Sequence, residues 1–149
     1  MTQTSCDSDT SLGKLCWSGV HDLYAAGKGV VWAAHYREST GGSDAGGIYC
    51  STDGGRTWSC KLAKKYMQCV AGGAPEASTV WAGQSKLTNA SRANAAENAG
   101  LYRSSDGGKK WESADLGIGI SAVHRLAIHG SEVWAGVPGQ GVYYLRTKP

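Results

Sequence analysis

The chain has 149 residues, room for one domain with its own core and too little for two large ones. Gly accounts for 22 of them, roughly twice ordinary usage, beside 6 Trp, 7 Tyr, 3 Pro and no Phe, a balance that favours tight turns between short strands over helices or disorder. A net charge of +3 with 18% charged residues excludes an acidic disordered chain and makes nucleic acid an unexpected partner. No stretch comes near the about 18 consecutive apolar residues of a membrane-spanning helix, so no membrane partner is expected.

In chain order, Met1-Thr2-Gln3-Thr4 lacks both the basic start and the apolar run of a leader peptide. The cysteines at 6, 16, 50, 60 and 69 are odd in number and match no zinc spacing. Free thiols, a cytoplasmic rather than secreted chain, no metal and no cofactor are therefore expected. Cys50 and Cys60 flank one turn, which leaves a disulfide between them open. Asn89-Ala90-Ser91 is a glycosylation sequon that matters only in a secreted chain.

The predicted strands fall into repeats. Val20-His21-Asp22-Leu23 is matched loosely by Met67-Gln68-Cys69-Val70 and closely by Val123-His124-Arg125-Leu126. Val31-Trp32-Ala33-Ala34 returns as Val80-Trp81-Ala82-Gly83 and Val133-Trp134-Ala135-Gly136. Next come Gly47-Ile48-Tyr49-Cys50 through Trp58, then Gly100-Leu101-Tyr102-Arg103 through Trp111, with a start of the same pattern at Gly141-Val142-Tyr143. Each unit reads as strand, strand, strand, Gly-rich turn, strand.

The turns carry the most specific signal. Ser51-Thr52-Asp53-Gly54-Gly55-Arg56-Thr57-Trp58 fits Ser-x-Asp-x-Gly-x-Thr-Trp throughout, and Ser104 to Trp111 fits it except for Lys110 at the Thr position. This resembles the Asp-box, or BNR repeat, of β-propellers similar to sialidases, sortilin-type receptors and photosystem assembly factors. The resemblance implies an all-β fold of four-stranded antiparallel blades, with the box between the third and fourth strands. Asp53 and Asp106 then accept backbone N–H bonds, Gly55 and Gly108 allow positive φ, and Trp58 and Trp111 bury their rings. Ser51, Asp53, Gly55, Trp58, Ser104, Asp106, Gly108 and Trp111 are thus expected to be structural.

A single domain over 1–149 follows: a closing strand within 1–19, blades at 20–60 and 61–113, and a partial third blade at 114–149. Leu12 to Ser18, with Trp17 at the box position, is the candidate fourth strand of that last blade. Three blades fall short of the four to eight that usually close a ring. A homodimer forming a six-bladed ring is expected, with a larger oligomer, a compact three-blade variant and a fragment of a longer chain as alternatives.

The long connections between second and third strands, Tyr36 to Ala45 and Gln84 to Asn98, fall on the face opposite the boxes. Tyr36, Arg37, Lys64, Lys65, Tyr66, Lys86 and Arg92 gather there as candidate ligand-binding residues, and His21, Gln68 and His124 occupy equivalent first-strand positions facing the central channel. No catalytic residues are assigned: the acid and nucleophile pair of a sialidase-type site is not recognisable, and Gly-x-Ser-x-Gly and His-Glu-x-x-His are absent. The expected function is a non-catalytic binding module for a macromolecule, foremost a protein. The alternatives are a glycan-binding lectin, a reduced sialidase-like glycosidase, and a phage- or mobile-element-encoded inhibitor of a host complex.

Overall fold

The computed structural model describes residues 19–38, 40, 45–72, 78–85, 99–114 and 122–147. The first sheet is β1 (Val20–Gly27), β2 (Val30–His35), β3 (Gly47–Ser51) and β4 (Ser59–Ala63). The second is β5 (Met67–Gly72), β6 (Val80–Ser85), β7 (Ala99–Ser104) and β8 (Glu112–Ser113), and the third is β9 (Arg125–His129), β10 (Glu132–Val137) and β11 (Gly141–Arg146). Each sheet is a simple antiparallel meander in chain order, with four, four and three strands. This is the all-β blade architecture that the repeats predict. The candidate closing strand at Leu12 to Ser18 lies outside the described residues.

Burial patterns report each blade's place. The strands β5 and β6 are buried along their whole length, because the middle sheet is covered on both faces. The outer strands β1 and β9 alternate half-buried with exposed, because only one face of each is covered. Between the first two sheets Trp32, Ala34, Ile48, Met67, Val70 and Ala82 form one core cluster. Between the second and third, Trp81, Leu101, Val123, Val133, Ala135 and Val137 form the other.

The box turns show how sequence becomes geometry. Gly55 N–H donates to Ser51 Oγ at 2.8 Å, Ser51 Oγ–H donates to Asp53 Oδ1 at 2.8 Å, and the N–H groups of Arg56 and Thr57 donate to the same oxygen at 2.9 Å. Thr57 Oγ1 adds a 2.6 Å bond to Asp53 Oδ2. The Ser104–Lys110 turn repeats every bond except the last, since Lys110 has no hydroxyl. Gly108, at φ 82°, lies flat against Trp32: a Cβ there would come within 2.7 Å of the ring. Trp111 then meets Trp32 edge-on, ring centres 6.5 Å apart, so the second box locks onto the first blade.

The possible disulfide does not form; Cys50 and Cys60 are free thiols. Cys50 pairs across the sheet with Ser59 and Cys60 with Tyr49, so the two sulfurs leave opposite faces.

Candidate functional site

The site lies where β1 and β5 begin and β2 and β6 end, on the side away from the boxes. Both first strands carry a register irregularity at the same place, between Val20 and Asp22 in β1 and between Met67 and Cys69 in β5. The residues caught in these bulges are His21 and Gln68. A bulge re-aims the side chain of its extra residue, and here the two meet: His21 Nδ1 and Gln68 Oε1 are hydrogen-bonded at 3.1 Å.

Tyr36 stacks on the His21 ring, centres 4.5 Å apart and planes within 5°. Tyr66 lies tilted beside Tyr36 at 5.2 Å and donates its hydroxyl to Glu38 at 2.8 Å. Burial first, and then the Glu38 carboxylate, push the Tyr66 hydroxyl up to about 12, so it stays protonated and remains a donor. Tyr66 takes φ 57°, a left-handed position unusual for a side-chain-bearing residue, while its backbone bridges loops: its N–H donates to Arg37 O and its own carbonyl accepts from Ser85 N–H.

His124 enters from just before β9, where Ser85 Oγ and His124 Nε2 are 2.7 Å apart. Burial holds this imidazole below its ordinary range, with the charges of Arg125 and His21 adding to the effect, so the ring is neutral at pH 7. His21 and Gln68 thus form a bonded pair while His124 bonds elsewhere.

The basic candidates divide. Lys64 Nζ sits 4.8 Å over the Tyr102 ring, a cation–π contact. Lys65 contributes its carbonyl, which accepts from Gln84 Nε2 at 2.7 Å. Arg37 follows β2 and borders Tyr66 through its carbonyl. Lys86 and Arg92 lie outside the described residues.

Sequence inspection missed Glu38, Gln84, Ser85 and Tyr102 as parts of this site. Tyr102 donates to Gln84 Oε1 at 2.8 Å, so Gln84 clamps the β4–β5 connection to β7. His35 occupies the matching place in the first blade, its Nδ1 bonded to Ala45 O at 2.8 Å. A signal existed: the position after Val-Trp-Ala-x is His35, Gln84 and Val137, polar only in the two units with long connections.

At the box end, a cavity of about 530 Å³ opens between first strands, lined by Tyr24, Gly72, Leu126, Ile128 and His129 among others. It holds none of the candidate residues. Among the described residues no group of three or more His, Cys, Asp and Glu could hold a metal ion, and no helix is long and apolar enough to cross a membrane.

Antiparallel four-stranded meanders that pack face to face, joined by box turns at the third hairpin, define the class: β-propeller blades. Among solved structures the chain is similar to YCF48 from Cyanidioschyzon merolae, with a TM-score of 0.53 and 18% identity, over 85% of this chain and 33% of that one. It is also similar to YCF48 bound to D1 peptide, with a TM-score of 0.50 and 18% identity, over 87% and 38% respectively. These likenesses show the fold, and the chain spans about a third of the length of the structures it matches. No family model and no curated protein matches.

The expected cytoplasmic location does not stand: the solved structures that share this fold are of YCF48 and give it no support. That expectation rested on cysteine count and on the first residues. Three described thiols are free because their sheet positions keep them apart or bury them, which is geometry and carries no information on compartment.

Proposed function

We propose that this chain is a non-catalytic binding module that recognises a protein partner through the face opposite the boxes, with His21, Tyr36, Tyr66, Gln68 and His124 at its centre. The observation that carries this reading is the pair of matched bulges that turn His21 and Gln68 onto one point beside stacked Tyr36. Nothing in a blade requires those bulges, and such irregularities cluster where a side chain has to be aimed. Flat aromatic rings beside amide and imidazole groups suit a peptide, which offers both apolar side chains and backbone bonding groups. A protein of the same fold has been solved with a peptide bound. In this reading two copies of the chain complete a six-bladed ring, so each assembly presents the face twice.

The test is binding of the purified chain to a random peptide library and, in parallel, to a glycan array. Selective peptide binding that Tyr36→Ala and His21→Ala abolish, with folding intact, supports the reading. A silent peptide library with a positive glycan array replaces it with a lectin.

A further inference from the structure

One strong side-chain bond joins the second sheet to the entry of the third. Ser85 Oγ and His124 Nε2 are 2.7 Å apart, while the neighbouring links among the described residues are weaker: Val123 N–H to Gln84 O at 3.3 Å, and the thiol of Cys69 to Val123 O at 3.6 Å. Ser85 is 1% exposed, and among the described residues its hydroxyl has no other acceptor. The hydroxyl therefore donates to Nε2, and the neutral ring keeps its proton on Nδ1. That is the polarity of a serine nucleophile and its base, but burial leaves Ser85 without an approach for a substrate. A proton changes the pair. Imidazolium carries N–H on both nitrogens, so Nε2 stops accepting and the Ser85 hydroxyl proton is stranded in a buried place.

The groups on the elements packed round the ring disfavour that proton. Arg125 adjoins it and donates to His124 O at 3.4 Å, and His21 brings a second imidazole from β1. Arg37 and Lys65 add cations on the neighbouring connections, and buried Cys69 and Tyr66 keep their own protons. The acids there are already engaged: Asp22 accepts from the Leu23 and Val70 N–H groups, and Glu38 from the Tyr66 hydroxyl. Burial first, and then Arg125 and His21, hold His124 below its ordinary value of 6.5. The bond is therefore whole above about pH 6.5 and is lost as pH falls from there through the lowered folded-state value.

Ser85 also carries the link onward. Its N–H donates to Tyr66 O at 3.0 Å, Tyr66 N–H donates to Arg37 O at 2.9 Å, and the Tyr66 hydroxyl holds Glu38. One line of bonds thus runs from the third sheet through the left-handed Tyr66 to the segment that carries Tyr36. We propose that the Ser85–His124 pair is a pH latch: protonation of His124 in mild acid opens it, and the segment around Tyr36 and Tyr66 loosens. Release of a bound partner in acid follows only where that face binds one, and so rests on the reading above; the opening itself does not.

The test is nuclear magnetic resonance of the 149-residue chain from about pH 8 to about pH 5. Imidazole shifts are expected to show His124 in the Nδ1–H form at the start and titrating below 6.5. Over the same step, exchange protection of the Ser85 and Tyr66 amides, corrected for the intrinsic effect of pH, is expected to fall roughly two- to tenfold, the worth of one hydrogen bond. The Gly55 and Gly108 amides, bonded to serine hydroxyls in the box turns, are expected to hold. His124→Gln gives Ser85 a partner that does not titrate and is expected to abolish the step. Ser85→Ala, used if His124→Gln does not fold, is expected to move the His124 midpoint up toward 6.5. An Nε2–H ring at neutral pH, a midpoint at or above 6.5, amide protection indifferent to the titration, or a step that survives His124→Gln overturns the latch. Peptide binding is measured apart: a chain that opens in acid yet binds no peptide upholds the latch and removes the binding reading.

Discussion

Single residues in the box turns carry more of the fold than their exposure suggests. Asp53 is held well below the usual carboxylate range, first by the Thr57 hydroxyl, then by the Thr57 N–H, Ser51 and Arg56. A depressed folded-state value means the carboxylate's contribution is complete at neutral pH. It is lost as pH falls below about 4 toward that lower value. Asp53→Asn is therefore expected to lower the melting temperature at pH 7 and to flatten its decline on acidification, checked by thermal denaturation from neutral pH to about pH 2. Asp106 is also lowered, chiefly by the Lys110 N–H with the Ser104 hydroxyl adding to it, but lacks the second hydroxyl partner that Thr57 gives Asp53. Lys110→Thr is expected to supply one and raise the melting temperature. Ser51 is fully buried, and Ser51→Ala leaves Gly55 N–H without its acceptor; a loss of about 1–3 kcal/mol by chemical denaturation is expected. The hydrogen bonds of these turns were legible in the sequence, but the expected ring burial was not met in full, since Trp58 and Trp111 are only half-buried. The box is local turn chemistry whose donors and acceptors lie within a few residues of one another.

At the scale of elements, strands pack through particular small residues and aim side chains through particular irregularities. Gly83 on β6 illustrates the first: a Cβ would come within 2.5 Å of Cys69 Sγ and 2.8 Å of Val123 O. Gly83→Ala is expected to cost about 1–3 kcal/mol of stability, because both neighbours are packed backbone or buried side chain with nowhere to move. Trp32→Ala removes the ring that seats the second box and is expected to cost about 3–5 kcal/mol, read by the same denaturation curve. The bulges of β1 and β5 illustrate the second. Repeat alignment placed His21 and Gln68 at equivalent positions, but a residue squeezed out of register is a property of pairing between strands, and no run of letters shows it. The Tyr66–Glu38 bond was hidden for a related reason: it joins two connections 28 positions apart, through a left-handed tyrosine that sequence patterns do not announce.

For the whole molecule, the sequence carried the number of blades, the order of strands and the side on which the long connections fall. It did not show which faces are satisfied. The same Val-Trp-Ala motif occurs three times, and only packing distinguishes two buried tryptophans from the half-buried Trp134. Likewise Leu23 and Val70 look interchangeable as letters, yet Leu23 is exposed while Val70 is buried in the core between the first two sheets.

The middle sheet's coverage on both faces has a kinetic consequence. Its core strands touch both flanking sheets, so they can open only after a flank has left, while either flank can loosen alone. Protection is therefore graded along the chain rather than uniform. Amide protons of β5 and β6 should exchange with deuterium last, and those of β9 and β11 early. Adding chain until the terminal sheets are covered should slow the ends while leaving the centre almost unchanged.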